Sequence, residues 1–391
     1  MKPIRTASRL GQLPVYALAH IPRRKRELLA SGVDVIDLGA GDADFPPPDP
    51  AVRALSEAAQ DPAMSRYAWQ LGSLRFRESI ARYHARRFGT QLDPVAEVLP
   101  LVGSKEGLAH LVLACAGPGD VVIVPEPGYV CYLGGTICAG ADPHVVPLTP
   151  RTDFLLELEE LPEAVLRRAR MVFLNYPNNP TSAVAPREYL ERTVRLCREH
   201  GIVLAFDNPY VELTFDGYRA PSIFEIPGAK DVALEFHSCS KSFSMTGWRV
   251  AWAAGNSELI AALARVKSFY DTGAFLAVQE AAAATLDRAE ELVAPVREAL
   301  ARRRDVAVAA LRAAGFEVES PRGTMYLWVP LPEALPSAEF ARIAMDEEGV
   351  IVLPGSAFGP SAEGFFRIAL TVNESRLEEA AMRVGRVLAR A

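Results

Sequence analysis

Several marks of large protein classes are missing from this chain. Only five of its 391 residues are cysteine, namely Cys115, Cys131, Cys138, Cys197 and Cys239. The number is odd and no C-x-x-C pair occurs, so a disulfide framework is not indicated and reduced thiols in a cytoplasmic protein are expected. No stretch approaches the roughly 18 uninterrupted apolar residues of a membrane span, and no long apolar core with a cleavage-like site opens the chain. Neither insertion into a membrane nor export is therefore expected. An excess of positive charge is also absent, since the formal net charge is -6. That balance argues against a nucleic-acid surface, and the one basic run, Arg23-Arg24-Lys25-Arg26 between Pro22 and Gly32, reads as the solvated face of a short helix. The six histidines are scattered, with no H-E-x-x-H, no G-x-S-x-G and no Walker loop, so no metal is expected. Gly39-Ala40-Gly41-Asp42-Ala43-Asp44 begins like a dinucleotide fingerprint, but Asp44 stands at the third glycine position and Pro46-Pro47-Pro48 denies the helix that must follow.

What is present is ordinary globular composition, 50% apolar and 23% charged, in a chain long enough for two cores. Short runs that are apolar at every position, such as Val121-Val122-Ile123-Val124, Met171-Val172-Phe173-Leu174 and Ile202-Val203-Leu204-Ala205-Phe206, imply strands covered on both faces. Between the last two, Leu190, Val194 and Cys197 fall on one helical face, with Pro186 before it and Gly201 after it, as in a crossover helix. The pattern predicts an α/β unit with a mainly parallel central sheet and helices on both faces over residues 46–285. Residues 286–391 read as a smaller α+β unit, beginning with an Ala/Arg-rich helix in which Val296, Leu300, Ala307 and Leu311 share a face. Residues 1–45 are too poor in apolar periodicity to form a core and are assigned to that smaller domain as an N-terminal arm, packed on it or on a partner subunit.

Polar residues gather where the apolar runs stop: Asn175, Asp207 and Ser238. Ligands of open parallel sheets bind at the carboxyl ends of strands, so these residues converge on one crevice. In Ser238-Cys239-Ser240-Lys241, continuing to Arg249, a lysine amine able to form a Schiff base with an aldehyde is flanked by hydroxyls and a guanidinium suited to a phosphate. Pyridoxal 5'-phosphate carries both groups. Asp207 closes a buried strand and needs a cationic partner, which a protonated pyridine nitrogen supplies; capping a helix is the plainer use of such a residue. Tyr210, and Asn179 from Asn175-Tyr176-Pro177-Asn178-Asn179-Pro180-Thr181, are placed to bond a ring hydroxyl. Gly103-Ser104-Lys105 opens a helix whose free amides suit a phosphate. Tyr129, after another strand, either stacks on a flat cofactor or belongs to core or surface. Arg367, in the apolar strand around Phe365-Phe366-Arg367-Ile368, wants a planar anion: a substrate carboxylate or a structural counter-ion.

Taken together and in this order, the segments resemble the fold-type I pyridoxal-phosphate aminotransferases of class I/II, from about Leu13 to Ala380. The resemblance implies that Lys241 is the Schiff-base lysine and proton shuttle, Asp207 the pyridinium partner, and Asn179 with Tyr210 the pair on the ring hydroxyl. It further implies that Tyr129 stacks and that Gly103, Ser104, Lys105, Ser238, Ser240 and Arg249 hold the phosphate. Tyr67 matches a tyrosine that reaches the neighbouring subunit's phosphate, which implies a homodimer. Arg367 matches the arginine gripping the substrate α-carboxylate, assisted by the Gly41 amide, with Tyr16 beside the substrate. Ser182 departs from the family's Asn-Pro-Thr-Gly ending, which should strain or reshape a turn without removing a catalytic group. Gly103-Ser104-Lys105-Glu106-Gly107, Glu126-Pro127-Gly128-Tyr129, Asp271-Thr272-Gly273-Ala274-Phe275 and Val352-Leu353-Pro354-Gly355 look closer to the LL-diaminopimelate aminotransferase branch. That branch has a glutamate near Gln70 or Leu71, which is missing here. The expected activity is transfer of an α-amino group from an L-amino acid to a 2-oxo acid, with glutamate and 2-oxoglutarate as the shared pair. A C-S β-lyase and a diaminopimelate-specific aminotransferase are the alternatives.

Overall fold

The computed structural model describes residues 4–14, 21–69 and 71–390. The continuous apolar runs become the strands of one seven-stranded sheet: β1 (Val98–Leu101), β2 (Val121–Glu126), β3 (Asp142–Pro147), β4 (Ala169–Leu174), β5 (Val203–Asp207), β6 (Ala233–Ser238) and β7 (Ala251–Gly255). Their order is β1-β7-β6-β5-β4-β2-β3, and only β7 runs against its neighbours. Side chains alternate between two cores. Met171 and Phe173 of β4 face Leu108, Leu111 and Val112 of helix α1 (Ser104–Cys115) and Tyr132 of α2 (Val130–Ala139). Val172 and Leu174 face Tyr189, Leu190 and Val194 of α3 (Arg187–His200), the crossover helix, which ends on Gly201 in a left-handed turn at φ 65°. Apolar residues at consecutive positions are thus needed because each face has its own helices.

The segment read from the sequence as the smaller unit contains a 25-residue helix, α4 (Ala289–Ala313), which buries Val293, Leu300, Ala307 and Leu311. Its three-stranded sheet is ordered Leu353–Pro354, Phe365–Ala369, Tyr326–Pro330, all antiparallel, so Tyr326–Pro330 is an edge. Ile36–Asp37 pairs in parallel with Val350–Ile351, which seats the segment leading to Gly41 on this unit. Because β4, β5 and β6 are parallel neighbours, Asn175, Asp207 and Ser238 emerge at one end of the large sheet.

A buried cation braces the mouth of that crevice. Lys267 is fully buried, its Nζ 2.6 Å from both Glu106 Oε1 and Asp271 Oδ1, and Glu106 also accepts the Val102 N–H at 2.9 Å. The loop that leads into α1 is therefore tied down by a carboxylate held between the Lys267 ammonium and His110, whose Nδ1 lies 2.8 Å from Glu106 Oε2. Replacing Lys267 with alanine should leave Glu106 and Asp271 without their shared ammonium and cost about 3 kcal/mol of stability. Urea unfolding of the variant checks this, and a midpoint equal to the parent's would refute it.

Candidate active site

Asp207 ends β5 and is 4% exposed. Tyr132 donates to its Oδ2 at 2.7 Å from α2, where the tyrosine ring stacks on Phe173 at 4.5 Å. Asn175 holds the backbone, donating to the Asp207 carbonyl at 2.7 Å and accepting the Asn179 N–H at 2.8 Å. No helix follows Asp207, so capping is not its task. Its Oδ1 is buried and has no hydrogen-bond partner. Burial pushes the carboxyl up to about 7, against the opposing pull of the Tyr132 hydroxyl and His237.

β6 ends at Ser238, whose Oγ accepts the Ser240 N–H at 3.1 Å and starts the single helical turn Cys239–Ser242 that carries Lys241. Lys241 Nζ donates to the Gly41 carbonyl. Gly41 has no room for a side chain, because a Cβ there would lie 2.1 Å from the Tyr326 hydroxyl oxygen. The same hydroxyl is 3.2 Å from that of Tyr210. Burial raises both phenols, and Tyr210 ends well above its ordinary value; at Tyr326 the charges of Lys241 and Arg367 outweigh burial and hold the group below it.

Arg367 is 5% exposed, and its guanidinium lies 4.1 Å from the Tyr326 ring centroid and 5.1 Å from that of Phe358. Nη1 donates to Asn179 Oδ1 at 2.8 Å and Nη2 to the Gly39 carbonyl at 2.6 Å, while Nε is buried without a partner. Among the described residues no carboxylate pairs with it. Of the two partners the sequence left open, no structural counter-ion is found among the described residues, and the groups that bond the guanidinium there, Asn179 and the Gly39 carbonyl, are neutral.

The opposite end of the crevice is built on glycine. Gly103 has φ 81° immediately before α1, and a Cβ there would fall 2.0 Å from Arg249 Nη2. Arg249 thus lies against the first turn of α1, with Nη1 bonded to the Thr246 carbonyl at 2.9 Å. Ser104 is partly buried; Lys105 is exposed, its Nζ 5.7 Å from the centroid of Tyr129. Tyr129 meets Tyr132 edge to face at 5.9 Å. Tyr67 stands apart: it is 69% exposed, beside the ring of Trp69 at 5.7 Å. Tyr16 and Gln70 lie outside the described residues.

The donor set fits the cofactor that the sequence suggested. A buried carboxyl with one orphaned oxygen suits a pyridine nitrogen, an amine suits an aldehyde, and the glycine-lined start of α1 beside Arg249 suits a phosphate. Sequence reasoning missed Tyr132, which follows Tyr129 by one helical turn, and Tyr326, which begins the apolar strand Tyr326–Pro330. It also missed Phe358 and Thr324, for which the sequence holds no local signal.

A family model described as aminotransferase class I and II matches residues 33–384. An LL-diaminopimelate aminotransferase of Desulforudis audaxviator is 46% identical over 384 residues, covering 98% of both chains. Among solved structures, substrate-bound BacF from Bacillus subtilis superposes with a TM-score of 0.95 at 32% identity, over 98% of each chain. A probable N-succinyldiaminopimelate aminotransferase from Thermus thermophilus does so with a TM-score of 0.90 at 40% identity, over 94% of this chain and 99% of that one.

The state of Asp207 has a measurable consequence. Because its carboxyl is raised from 3.8 to about 7, the folded cofactor-free protein keeps a proton that the unfolded chain has released. Its stability should fall as pH rises between those two values and level off above the upper one. Asp207→Asn should abolish that component, so thermal melts of the two cofactor-free proteins across this window should diverge; parallel curves would count against it.

Proposed function

Since the chain belongs to the class I and II aminotransferases and is a pyridoxal 5'-phosphate-dependent enzyme, we propose that it moves the α-amino group of LL-diaminopimelate, or of a closely similar L-amino acid, to 2-oxoglutarate. The observation that carries the siting is Arg367: a buried guanidinium bonded only by neutral groups, joined to Lys241 through Tyr326 and Gly41. A carboxylate is the partner it lacks.

Bound pyridoxal phosphate supplies an electron-withdrawing pyridinium ring able to take up the electrons of a broken Cα–H bond. The chain does the rest. Arg367 grips the α-carboxylate and fixes which Cα bond faces Lys241. The Lys241 amine would take the proton from Cα and deliver it to the cofactor's aldehyde carbon, acting as base and then acid. Asp207 would accept the ring N–H on the oxygen that has no partner among the described residues, while Tyr132 fixes the other oxygen. Tyr210 and Asn179 face the ring hydroxyl. Gly103, Ser104, Lys105, Ser238, Ser240 and Arg249 would hold the phosphate, Tyr129 would cover the ring, and Gly41 would border the substrate.

A homodimer belongs to this reading. Tyr67 and Trp69 are 69% and 64% exposed, and Phe269, Tyr270 and Phe275 are 85%, 64% and 47% exposed. The two groups adjoin, because Gly273 packs on the Trp69 carbonyl. So large an aromatic patch suits a second copy of the chain, with Tyr67 directed to its neighbour's phosphate.

The donor is supported by the names of the relatives. Against narrow specificity stands the position near Leu71, where no glutamate is found. Initial rates with LL-diaminopimelate and the twenty standard amino acids, using 2-oxoglutarate and pyruvate as acceptors, separate the readings. LL-diaminopimelate with 2-oxoglutarate should be fastest. A faster standard amino acid would overturn the donor, and pyruvate and ammonia released from cystathionine without any 2-oxo acid would favour the lyase.

Lys241→Ala should abolish turnover, and borohydride treatment of the parent with pyridoxal phosphate should label Lys241 in a peptide map; label on another lysine would refute the assignment. Arg367→Lys should raise the donor KM roughly 30-fold, as about 2 kcal/mol of buried charge pairing is lost. An unchanged KM would remove Arg367 from carboxylate binding.

A further inference from the structure

Tyr326 begins an edge strand, and its pairing with Ala369 is of the wide kind: Leu370 N–H bonds the Met325 carbonyl, so the N–H and C=O of Tyr326 point away from the sheet. Both groups are buried and need partners. Tyr326 N–H donates to Thr324 Oγ1 at 3.1 Å, and Ser182 Oγ donates to the Tyr326 carbonyl at 2.9 Å. The two hydroxyl oxygens are 2.7 Å apart. One proton order satisfies all three contacts. The Ser182 proton is committed to the carbonyl, so Thr324 donates to Ser182 while accepting from Tyr326. The result is a closed ring of three hydrogen bonds around one residue, with Ser182 at 6% and Thr324 at 0% exposure.

Neither side chain reaches this place cheaply. Ser182 has φ 61° and Thr324 φ 75°, a left-handed conformation that is rare for any non-glycine residue and rarer still for a β-branched one. Such conformations persist where the surroundings hold them, and they concentrate at functional sites. Ser182 belongs to a rigid turn: its N–H bonds the Asn178 carbonyl at 2.9 Å, and Asn178 N–H bonds the Ala183 carbonyl at 2.9 Å. That turn also presents Asn179 Oδ1 to Arg367. Arg367 is thus held twice by one turn, directly through Asn179 and indirectly through Ser182 and the Tyr326 ring beneath it.

We propose that Ser182 and Thr324 form a hydroxyl clamp that positions Tyr326, and through it Arg367, to receive the substrate α-carboxylate. The inference rests on the reading of Arg367 as the carboxylate-binding residue. Ser182 and Thr324 are positioning residues, since neither touches the reacting atoms. The sequence expectation of a strained turn at Ser182 is met, but the strain is held by contacts that only a hydroxyl makes.

Ser182→Gly tests this with little threat to the fold, because glycine accepts φ 61° freely. The holoenzyme variant should show a donor KM raised roughly fivefold, the scale of one lost hydrogen bond, with kcat changed less than about twofold. Its melting temperature should hold or rise as left-handed strain is relieved, which a merely structural role would not pair with weaker binding. Thr324→Gly should match it, the double variant should be no worse than either single one, and Thr324→Ser should restore the parent KM. An unchanged KM in Ser182→Gly, or losses that multiply in the double variant, would overturn the clamp. Arg367→Lys distinguishes this from a mistaken site: it raises KM whether or not the clamp exists, and if it does not, the carboxylate reading itself is wrong.

Discussion

An acid and a cation, the Asp207 carboxyl and the Arg367 guanidinium, are buried in one region of the protein without bonding to each other. Burial without a charged partner is expensive, and folding ordinarily removes the expense by bringing opposite charges together. Here each is bonded only by neutral groups, Tyr132 for the carboxyl and Asn179 with Gly39 for the guanidinium. Ionisable groups held this way, Asp207 retaining its proton and Arg367 its charge, are tolerated yet incompletely bonded, which leaves one oxygen and one N–H group open to ligands. The architecture serves that separation. The parallel sheet delivers Asp207 from a strand end, the small antiparallel sheet delivers Arg367 from the other side, and the hydroxyl pair of Tyr210 and Tyr326 spans the gap.

Much of this arrangement is legible along the chain because burial on both faces demands uninterrupted apolar residues. Val121 to Val124 and Met171 to Leu174 announce central strands, and Pro186 with Gly201 brackets the helix between two of them. Lys241, Asp207 and Arg367 could be singled out for a related reason: each is a charged residue in or beside a stretch that reads as core. Tyr132 and Tyr326 gave no such sign. A tyrosine in an apolar helix or strand is an ordinary core residue, and its function resides in where the hydroxyl ends up, which depends on contacts far along the chain, 75 residues away for Tyr132 and 116 for Tyr326. The seating of Arg249 against Gly103 is invisible for the same reason, since it joins the loop before β7 to the turn after β1.

Ser182 shows where local rules give half an answer. A non-glycine residue at a left-handed position is recognisable as a departure, and strain follows from the backbone alone. What compensates it, a threonine 142 positions away that is itself left-handed, can be found only in three dimensions.

The carbonyls of Gly39 and Gly41 have a consequence for selectivity. They accept hydrogen bonds from Arg367 and Lys241, respectively. A neutral visitor, an alcohol or a simple amide, offers these cations no better acceptor than the peptide oxygens already in place, so it gains little by entering. An anion outbids them. The short stretch of main chain on that side of the cleft therefore sets an admission threshold based on charge, and it does so before any feature of the incoming side chain is inspected.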